Sequence, residues 1–247
     1  EKLYEAVFDG ALSGLDLYSR YAGATEARKN RARRDGFGGI GIRFKMKDRV
    51  ATITQVTPDT PAHHVGLRKG DRITHIDDMP IGPQSSQVVS ALRGPTNSEV
   101  RVTVFRASEE RSIKVAMERQ HIVPNTVEAR LEGHLLYLRI SNFNQGTARS
   151  VGEEIENGKV SAKGGLEGIV LDLRGNPGGL LKQSIKVADL MLTHGHILTT
   201  RGRHPDSLHH YEAGGRDLAD GLPVVVLIDG KSASASEIVA AALQDRD

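Results

Sequence analysis

The sequence predicts an α/β layered core that contains an inserted β-rich module and is preceded by an N-terminal helical segment. From Ala129 to the end of the chain, apolar strands alternate with helical stretches, as is typical of layered α/β domains. Earlier in the chain, short alternating strands are separated by glycine-containing turns. We therefore divide the chain into a helical segment with a charged connector (1–35), the β-rich module (36–120) and the core (121–247).

The composition is that of a globular protein and excludes several kinds of site. The net charge of +2 gives no reason to expect a nucleic-acid partner, and the lack of cysteine excludes disulfides and thiol catalysis. The longest apolar run, Leu222 to Ile228, is far shorter than the roughly 20 residues that a membrane span needs. Because the chain begins at Glu1 and stops at Asp247 just after a helical stretch, we expect it to be a fragment of a longer protein.

The first 35 residues contain two contrasting stretches. Apolar side chains recur at helical spacing from Leu3 to Leu15, which predicts a helix. Residues 26–35 are mostly charged and predict a solvated connector. Contact with an anionic membrane or a nucleic acid is the alternative for this stretch, although no aromatic residues are interleaved with the charges to stack on bases.

The β-rich module carries a glycine-rich loop and a Gly-Asp-x-Ile core. Strands are predicted over 39–44, 49–56, 70–77, 100–105 and 112–117, with a helical turn over 61–65 and a helix over 84–93. The loop Phe37-Gly38-Gly39-Ile40-Gly41-Ile42 and the stretch Gly70-Asp71-Arg72-Ile73 make the module resemble a PDZ domain. A small β domain whose glycines only form turns is the alternative.

The PDZ resemblance implies that the module binds the C-terminus of a protein or peptide. The bound tail would add as a strand beside Ile40 to Phe44, with its carboxylate on the amides of Gly39 to Gly41. The 84–93 helix would form the other wall of the groove. The candidate substrate-binding residues are Gly39, Ile40, Gly41, Ile42, Val88 and Leu92.

The core alternates strands and helices. Strands are predicted over 135–140, 168–173, 196–200 and 222–228, and helices over 147–156, 180–192 and 236–243. The strands at 168–173 and 222–228 are continuously apolar, which predicts burial on both faces. Each of these two strands is followed by a loop of unusual composition.

The first loop reads Arg174-Gly175-Asn176-Pro177-Gly178-Gly179. Pro177 presets φ for a turn and Gly178 can take the positive φ that a type II turn requires. Such a turn aims a backbone N–H away from the strand, just before a helix N-terminus that favours negative charge. The loop is therefore either half of an oxyanion hole or an ordinary strand-to-helix turn.

The second loop, Lys231 to Glu237, contains three serines separated by alanines. Ser234 and Glu237 fit a capping box, which explains one hydroxyl without catalysis. The small residues also leave space above the helix end, where an exposed serine would lie beside the free amide of Ala235. That arrangement is the geometry of a nucleophile on a strand-to-helix turn, although the G-x-S-x-G signature is absent.

The motifs DLRGNPGG and SASASE, downstream of a PDZ-like module, resemble those of the C-terminal processing (tail-specific) peptidases. The resemblance implies a crotonase/ClpP-like α/β peptidase core in which Ser234 is the nucleophile. The oxyanion donors would be Ala235 and a glycine of the turn, for which we choose Gly178. A Ser-Lys dyad would perform acyl transfer with neither a metal nor an organic cofactor.

The resemblance places the lysine general base, and a glutamine that orients it, after the nucleophile helix. No residue in this chain matches that lysine, so we expect the fragment alone to be inactive. Lys182, Lys186 and Lys231 are interpreted as solvated. The resemblance also implies a bacterial cell-envelope location, in the periplasm, and a homodimer through the N-terminal helix is a further expectation.

Three alternatives remain at this stage. A Ser/His/Asp apparatus could draw on histidines at 63, 64, 194, 196, 204, 209 and 210, although surface histidines are the simpler interpretation and no H-E-x-x-H motif is present. The protein could be a non-catalytic PDZ peptide-binding scaffold or pseudo-enzyme. A crotonase-type acyl-CoA enzyme also uses paired backbone amides, but it would need neither the PDZ module nor the serine.

Overall fold

The computed structural model describes residues 2–15 and 21–245. The chain divides into one compact unit made of Glu1–Asp35 and Val123–Asp247 and a second unit made of Gly36–Ile122. The second unit is thus an insertion within the chain of the first, and the predicted fold class is confirmed. Among the helices of the described residues, none has both the length and the apolar composition that crossing a membrane requires.

The chain begins with two helices, α1 (Lys2–Leu12) and α2 (Ala24–Asp35). Helix α1 follows the predicted apolar stripe, but most of its apolar side chains are exposed, with 76% exposure at Leu3 and 60% at Val7. The predicted connector at 26–35 forms most of α2, and no described side chain of this helix is buried. Alanine, arginine, lysine and glutamate favour a helix through backbone propensity alone, which a search for apolar periodicity does not detect.

The second unit is mainly β-sheet. Its elements are β1 (Phe37–Gly39), β2 (Ile42–Lys47), β3 (Val50–Val56), α3 (Pro61–His64), β4 (Arg72–Ile76), β5 (Met79–Pro80), α4 (Ser85–Leu92), β6 (Glu99–Arg106), β7 (Arg111–Glu118) and β8 (Gln120–Ile122). Five strands follow the order β2-β3-β4-β6-β7, β5 pairs with β4, and β1 pairs separately with β8. Strand β2 therefore lies at a sheet edge, where a further strand can add.

Two local features explain the glycine and aspartate signals of this unit. The strand predicted at 39–44 is interrupted at Gly41, whose φ of +82° and close approach to Thr60 leave no room for a Cβ. Asp71 of the Gly-Asp-x-Ile core is buried, and its carboxylate accepts two 2.8 Å bonds from the guanidinium of Arg106. Arg106 also donates to the carbonyl of Gly66, so one buried pair joins β6 to the turn before β4.

The rest of the first unit is an α/β core. Its elements are β9 (Val127–Glu132), β10 (Leu135–Ile140), α5 (Thr147–Ser161), β11 (Gly168–Asp172), α6 (Leu181–Asp189), β12 (His196–Thr200), β13 (His209–Glu212), β14 (Val224–Leu227) and α7 (Ala235–Gln244). The main sheet has the order β14-β11-β10-β9, in which only β9 is antiparallel to its neighbour. Strands β12 and β13 form a separate antiparallel pair.

The core lies between this sheet and its helices. Val151 of α5, Val187 of α6 and Val239 of α7 are fully buried in one cluster with Leu138 and Leu171 of the central strands. Burial of these aliphatic side chains is the main stabilising contribution of such a layered arrangement. The helices thereby hold the carboxyl ends of the central strands in fixed positions.

The prediction of burial is correct for β11 and wrong for β14. Strand β14 pairs only with β11 and lies at the edge of the described sheet. Val225 is 54% exposed and Ile228 beyond it is 56% exposed. A continuous apolar run indicates that a strand can be covered on both faces, but it does not show which elements cover it.

Candidate active site

The two unusual loops leave neighbouring strands at the same edge of the sheet. Strands β11 and β14 are parallel, and Asp172 at the end of one is paired with Leu227 at the end of the other. The pairing continues one step further, because the amide of Leu173 donates to the carbonyl of Leu227 at 2.8 Å. The carboxyl edge of a parallel sheet is the usual place for a functional site in α/β proteins.

Ser234 has a backbone conformation that is rare for a residue with a side chain. Its φ is 53° and its ψ is −113°, immediately before the first residue of α7. The ψ value takes it out of the left-handed helical region that Asp and Asn tolerate. Strained conformations of this kind recur at catalytic residues, and a serine on a sharp turn into a helix is the arrangement of a nucleophile elbow.

The capping box that the sequence predicts is also present. The Glu237 carboxylate accepts a hydrogen bond from the amide of Ser234, and the Ser234 side chain caps the amide of Glu237. Ser234 is exposed, whereas Ala235 and Ser236, the first two residues of α7, are buried. The hydroxyl therefore lies at the surface, at the positive end of α7.

Gly178 packs directly against this serine. A Cβ built on Gly178 would lie 2.8 Å from the carbonyl oxygen of Ala233, 2.9 Å from Cβ of Ser234 and 3.0 Å from the amide nitrogen of Ala235. Its φ of +97° is, in addition, a value that side chains disfavour. The structure thus brings together the three residues to which the sequence analysis gives catalytic roles: Ser234, Gly178 and Ala235.

The expectation that Gly178 supplies a free amide is wrong. Its N–H donates to Oδ1 of Asn176 at 2.9 Å, so the amide is already engaged inside the turn. An asparagine side chain commonly bonds the backbone N–H two residues further on, and the Asn-Pro-Gly order of the loop is suited to that turn. This signal is present in the sequence, whereas the prediction of a free Gly178 amide rests on the proline and the glycines alone.

The next amide, that of Gly179, is available. Gly179 forms a parallel bridge with Phe143, in which the amide of Phe143 donates to the Gly178 carbonyl at 3.0 Å and the amide of Leu180 donates to the Phe143 carbonyl at 2.8 Å. In a trans peptide the N–H points opposite to the C=O, so the Gly179 N–H points away from Phe143. Within the described part of the chain, the amides of Gly179 and Ala235 make no recorded hydrogen bond.

The start of the first loop is held by a buried carboxylate. Asp172 is 1% exposed and accepts bonds from the guanidinium of Arg174 at 2.8 and 3.0 Å, from the backbone amide of Arg174, and from the hydroxyl of Tyr137. The Arg174 hydrogen bonds hold the pKa of Asp172 well below its usual range and outweigh burial, which would raise it. The ion pair therefore fixes the chain direction at the point where the loop leaves β11.

This lowered pKa makes stability depend on pH. Because the folded state binds the proton of Asp172 more weakly than the unfolded state does, the contribution is present above the unfolded pKa of about 4 and is lost as pH falls. We expect Asp172→Asn to lower the free energy of unfolding by about 2 kcal/mol at pH 7. In urea unfolding, the difference between the wild type and the variant should begin to shrink as pH falls from about 5 to 3, with the rest lost below pH 3; a constant difference would contradict this assignment.

In the PDZ-like unit, the predicted groove residues divide into two groups. Gly41 and Ile42 lie at the start of the edge strand β2, and the amides of Ile40 and Gly41 make no recorded hydrogen bond with any described residue. The side chains of Ile40, Val88 and Leu92, in contrast, are 2%, 1% and 5% exposed and belong to the core of the unit. The expectation that Val88 and Leu92 line an open groove is wrong, because that face of α4 packs on the sheet.

Comparison with known proteins places both units. Peptidase family S41 matches residues 134–247, and the PDZ domain family matches residues 38–117. A carboxy-terminal-processing protease of Bartonella bacilliformis is 39% identical over 249 residues, an alignment that covers 99% of this chain and 57% of the relative. Residues 134–247 thus match a peptidase and residues 38–117 a PDZ domain, and over nearly its whole length the chain is similar to a carboxy-terminal-processing protease.

Other similar proteins also match over nearly the whole of this chain. A "Probable CtpA-like serine protease" of Staphylococcus aureus is 32% identical over 251 residues, covering 99% of this chain and 49% of that protein. A photosystem II D1 C-terminal processing protease of known structure has a TM-score of 0.47 and 24% identity, and the match covers all of this chain and 68% of that one. The chain spans about half the length of the curated relatives it matches.

The remaining candidate groups are exposed. Lys182, Lys186 and Lys231 lie at the surface. The histidines at 194, 196, 204, 209 and 210 are also exposed, and His196, His209 and His210 belong to the β12–β13 pair. Among the described residues, Asp59, His63 and His64 of the second unit have possible metal-ligand atoms within 4.8 Å of one another, but Nδ1 of His63 already accepts a hydrogen bond from the Asp59 amide.

Proposed function

We propose that the full-length protein is a serine endopeptidase that binds the C-terminal tails of proteins through its PDZ unit and cleaves peptide bonds through an acyl-enzyme on Ser234. The observation that carries this proposal is the strained, exposed Ser234 at the start of α7, with Gly178 packed against its Cβ and beside the Ala235 amide. The glycine-rich turn after β11 and the capping box of α7 can each be explained without catalysis. Because the two pack closely together, however, they place a serine next to free amides, as acyl transfer requires.

The amides assigned to the oxyanion are those of Gly179 and Ala235. Both lack a recorded partner in the described part of the chain, and Ala235 lies at the positive end of the α7 dipole. When Ser234 Oγ attacks a peptide carbonyl, the negative charge on the carbonyl oxygen would be held by these two N–H groups. Each donor of this kind contributes about 100- to 1,000-fold to kcat in the serine proteases where it has been removed.

The general base in this proposal is a lysine outside residues 1–247. A lysine must be buried to be neutral and accept the serine proton near pH 7. Lys182, Lys186 and Lys231 are exposed and therefore lack that environment. Because relatives of this family are about twice as long as the chain, the proposal places the base in the remaining sequence and expects residues 1–247 alone to be inactive.

Tail recognition in this proposal uses the edge of the PDZ sheet. Among the described strands β2 lies at the edge of the sheet, and the neighbouring amides of Ile40 and Gly41 are available for a carboxylate. A peptide tail adding beside Ile42 would complete the main-chain hydrogen bonds of β2 and end with its carboxylate at those amides. Val88 and Leu92 act behind this surface, by holding α4 on the sheet.

The recognition step is tested by a peptide that differs only at its end. We expect amidation of the C-terminal carboxylate to weaken binding of a tail peptide to the full-length protein by at least about tenfold. The reason is that the charged hydrogen bonds between the carboxylate and the amides of Ile40 and Gly41 are then lost. Fluorescence anisotropy with the free and the amidated peptide measures the ratio. Equal affinities would remove the tail-carboxylate assignment while leaving the assignment of Ser234 untouched.

The proposed proteolysis is tested on an unfolded protein substrate with a free C-terminal tail. Full-length protein should cleave it, and residues 1–247 should not. A full-length protein that binds the tail without cleaving the substrate would instead be a PDZ scaffold or pseudo-enzyme, in which the capping box accounts for Ser234. The match of residues 134–247 to a peptidase family favours proteolysis over acyl-CoA chemistry.

Two further proposals depend on the same family relationship. The exposed apolar side chains of α1, Leu3, Tyr4, Val7 and Phe8, support a homodimer formed through this helix. The proposed location of the protein is the bacterial cell envelope, in the periplasm, where protein tails are accessible to such an enzyme. Sedimentation of the full-length protein with and without Val7→Asp tests the first of these proposals.

A further inference from the structure

We propose that Asn176 is a positioning residue of the peptidase: it orients the oxyanion turn with its side chain and holds the serine loop against that turn with its carbonyl. This inference rests on the proposed function, because it assigns a role in the same site. It concerns a residue that touches neither the nucleophilic oxygen nor the substrate carbonyl. Its effect is to fix the two halves of the site relative to each other.

Asn176 is fully buried and has hydrogen-bond partners on three different segments. Its exposure is 0%. The Nδ2 amide donates to the carbonyl of Ile140 at 2.9 Å, which attaches the turn to the end of β10. Its Oδ1 accepts the amide of Gly178 at 2.9 Å, within the turn itself. A buried amide side chain with both ends bonded is fixed in one orientation.

The side-chain bonds decide which glycine amide faces the reaction. Since the Gly178 N–H is held by Oδ1 of Asn176, it is removed from the set of available donors. The following peptide unit has its carbonyl on the Phe143 amide, which turns the Gly179 N–H to the opposite side. Asn176 therefore selects Gly179 as the donor by engaging its neighbour.

The main-chain carbonyl of the same residue acts on the serine loop. It accepts a hydrogen bond from the amide of Ala233 at 3.1 Å and another from Oγ of Ser236 at 3.0 Å. These two donors lie at either side of Ser234 in the sequence. One residue consequently fixes the donor turn and both flanks of the nucleophile, and a shift of about 1 Å between such groups can cost about 100-fold in rate.

A buried asparagine can also be purely structural, and the chain contains a suitable comparison. Asn144 is likewise 0% exposed, donates from Nδ2 to the Pro124 carbonyl at 2.7 Å, and accepts at Oδ1 the Gly146 amide at 3.0 Å and the Thr147 hydroxyl at 3.2 Å. Its partners position the start of α5 and not the serine loop. Asn144→Ala therefore removes the same kinds of side-chain bond and one more, and should lower stability by at least as much.

The experiment compares Asn176→Ala, Asn176→Asp and Asn144→Ala in the full-length protein, at temperatures where unfolding curves show each variant to be folded. We expect Asn176→Ala to lower kcat about 100-fold with KM changed less than threefold. Affinity for a peptide aldehyde, which adds the Ser234 hydroxyl to form a tetrahedral hemiacetal, should fall in proportion to kcat/KM. Asn144→Ala should change kcat by less than about fivefold.

If Asn176→Ala does not fold, Asn176→Asp decides the question. It keeps an acceptor for the Gly178 amide but loses the donor to Ile140 unless it is protonated, so its kcat relative to wild type should rise as pH is lowered. The inference would be overturned if the position 176 variants and Asn144→Ala lost kcat equally. It would also be overturned if the position 176 variants raised KM and left kcat unchanged. The proposed function would instead be overturned by a wild-type protein that does not cleave the substrate, or by a Ser234→Ala variant that still cleaves it.

Discussion

Replacing Ser234 with alanine is expected to abolish proteolysis by the full-length protein, with a loss in kcat of about 10⁴-fold or more, while leaving tail binding unchanged. Loss of a serine nucleophile removes the acyl-enzyme route entirely, and only weak residual catalysis by the oxyanion donors remains. Turnover of an unfolded tailed substrate and anisotropy of a bound tail peptide measure the two properties separately.

The control for this prediction addresses the capping interpretation. If Ser234 only caps α7, its removal costs about 1 kcal/mol of stability, and removal of the other half of the capping box should have a similar effect. Glu237→Ala breaks the same box without removing the hydroxyl. We expect both variants to be mildly destabilised but only Ser234→Ala to lose turnover; similar residual activities in both would favour the capping role.

The second large effect is expected at Gly178. A Cβ at this position would meet the Ala233 carbonyl, the Ser234 Cβ and the Ala235 amide at 2.8 to 3.0 Å, which are backbone atoms or atoms next to the backbone and cannot rotate away. Gly178→Ala must therefore displace the serine loop from the turn. We expect kcat to fall about 100-fold or more, because the nucleophile and the donors no longer share one geometry.

Gly175→Ala is the matched control. Gly175 lies in the same turn with a φ of +71°, but nothing lies within 4 Å of a Cβ built there. Both substitutions place a side chain at positive φ, at a cost of about 1 to 2 kcal/mol, and only Gly178→Ala adds the clash. Urea unfolding and steady-state kinetics of the two variants separate these effects. Similar kcat values for the two variants would show that the contact with Ser234 does not matter.

The sequence predicts that the two loops lie at one edge of the sheet, because its signals are local. Apolar runs ending at Asp172 and near Leu227 predict two strands, and parallel strands bring their following loops to one edge. The position of Ser234 and Ala235 at the start of α7 also follows from the sequence, since a helix start has a definite capping pattern. The capping box joins residues that are close in sequence, and the pairing of β11 with β14 joins whole strands, so both can be predicted from sequence patterns.

What the sequence did not reveal depends on tertiary partners. The Asn-Pro-Gly order is a local signal for the engaged Gly178 amide, but the orientation of the Gly179 amide follows from the bridge to Phe143, which is distant in the chain. The exposed face of β14 and the buried face of α4 follow from which elements cover them. Helix α2 was predicted as a connector because its residues favour a helix without forming an apolar stripe.

The central claim, that the Ser234 hydroxyl is the activated nucleophile, is tested most directly by covalent labelling. Full-length protein is treated with a fluorophosphonate, which is attacked by an activated serine with loss of fluoride, and the modified residue is mapped by tandem mass spectrometry. We predict one stoichiometric adduct, on Ser234, with Ser232 and Ser236 unmodified. Labelling elsewhere, or no labelling of a folded protein that cleaves its substrate, would contradict the account.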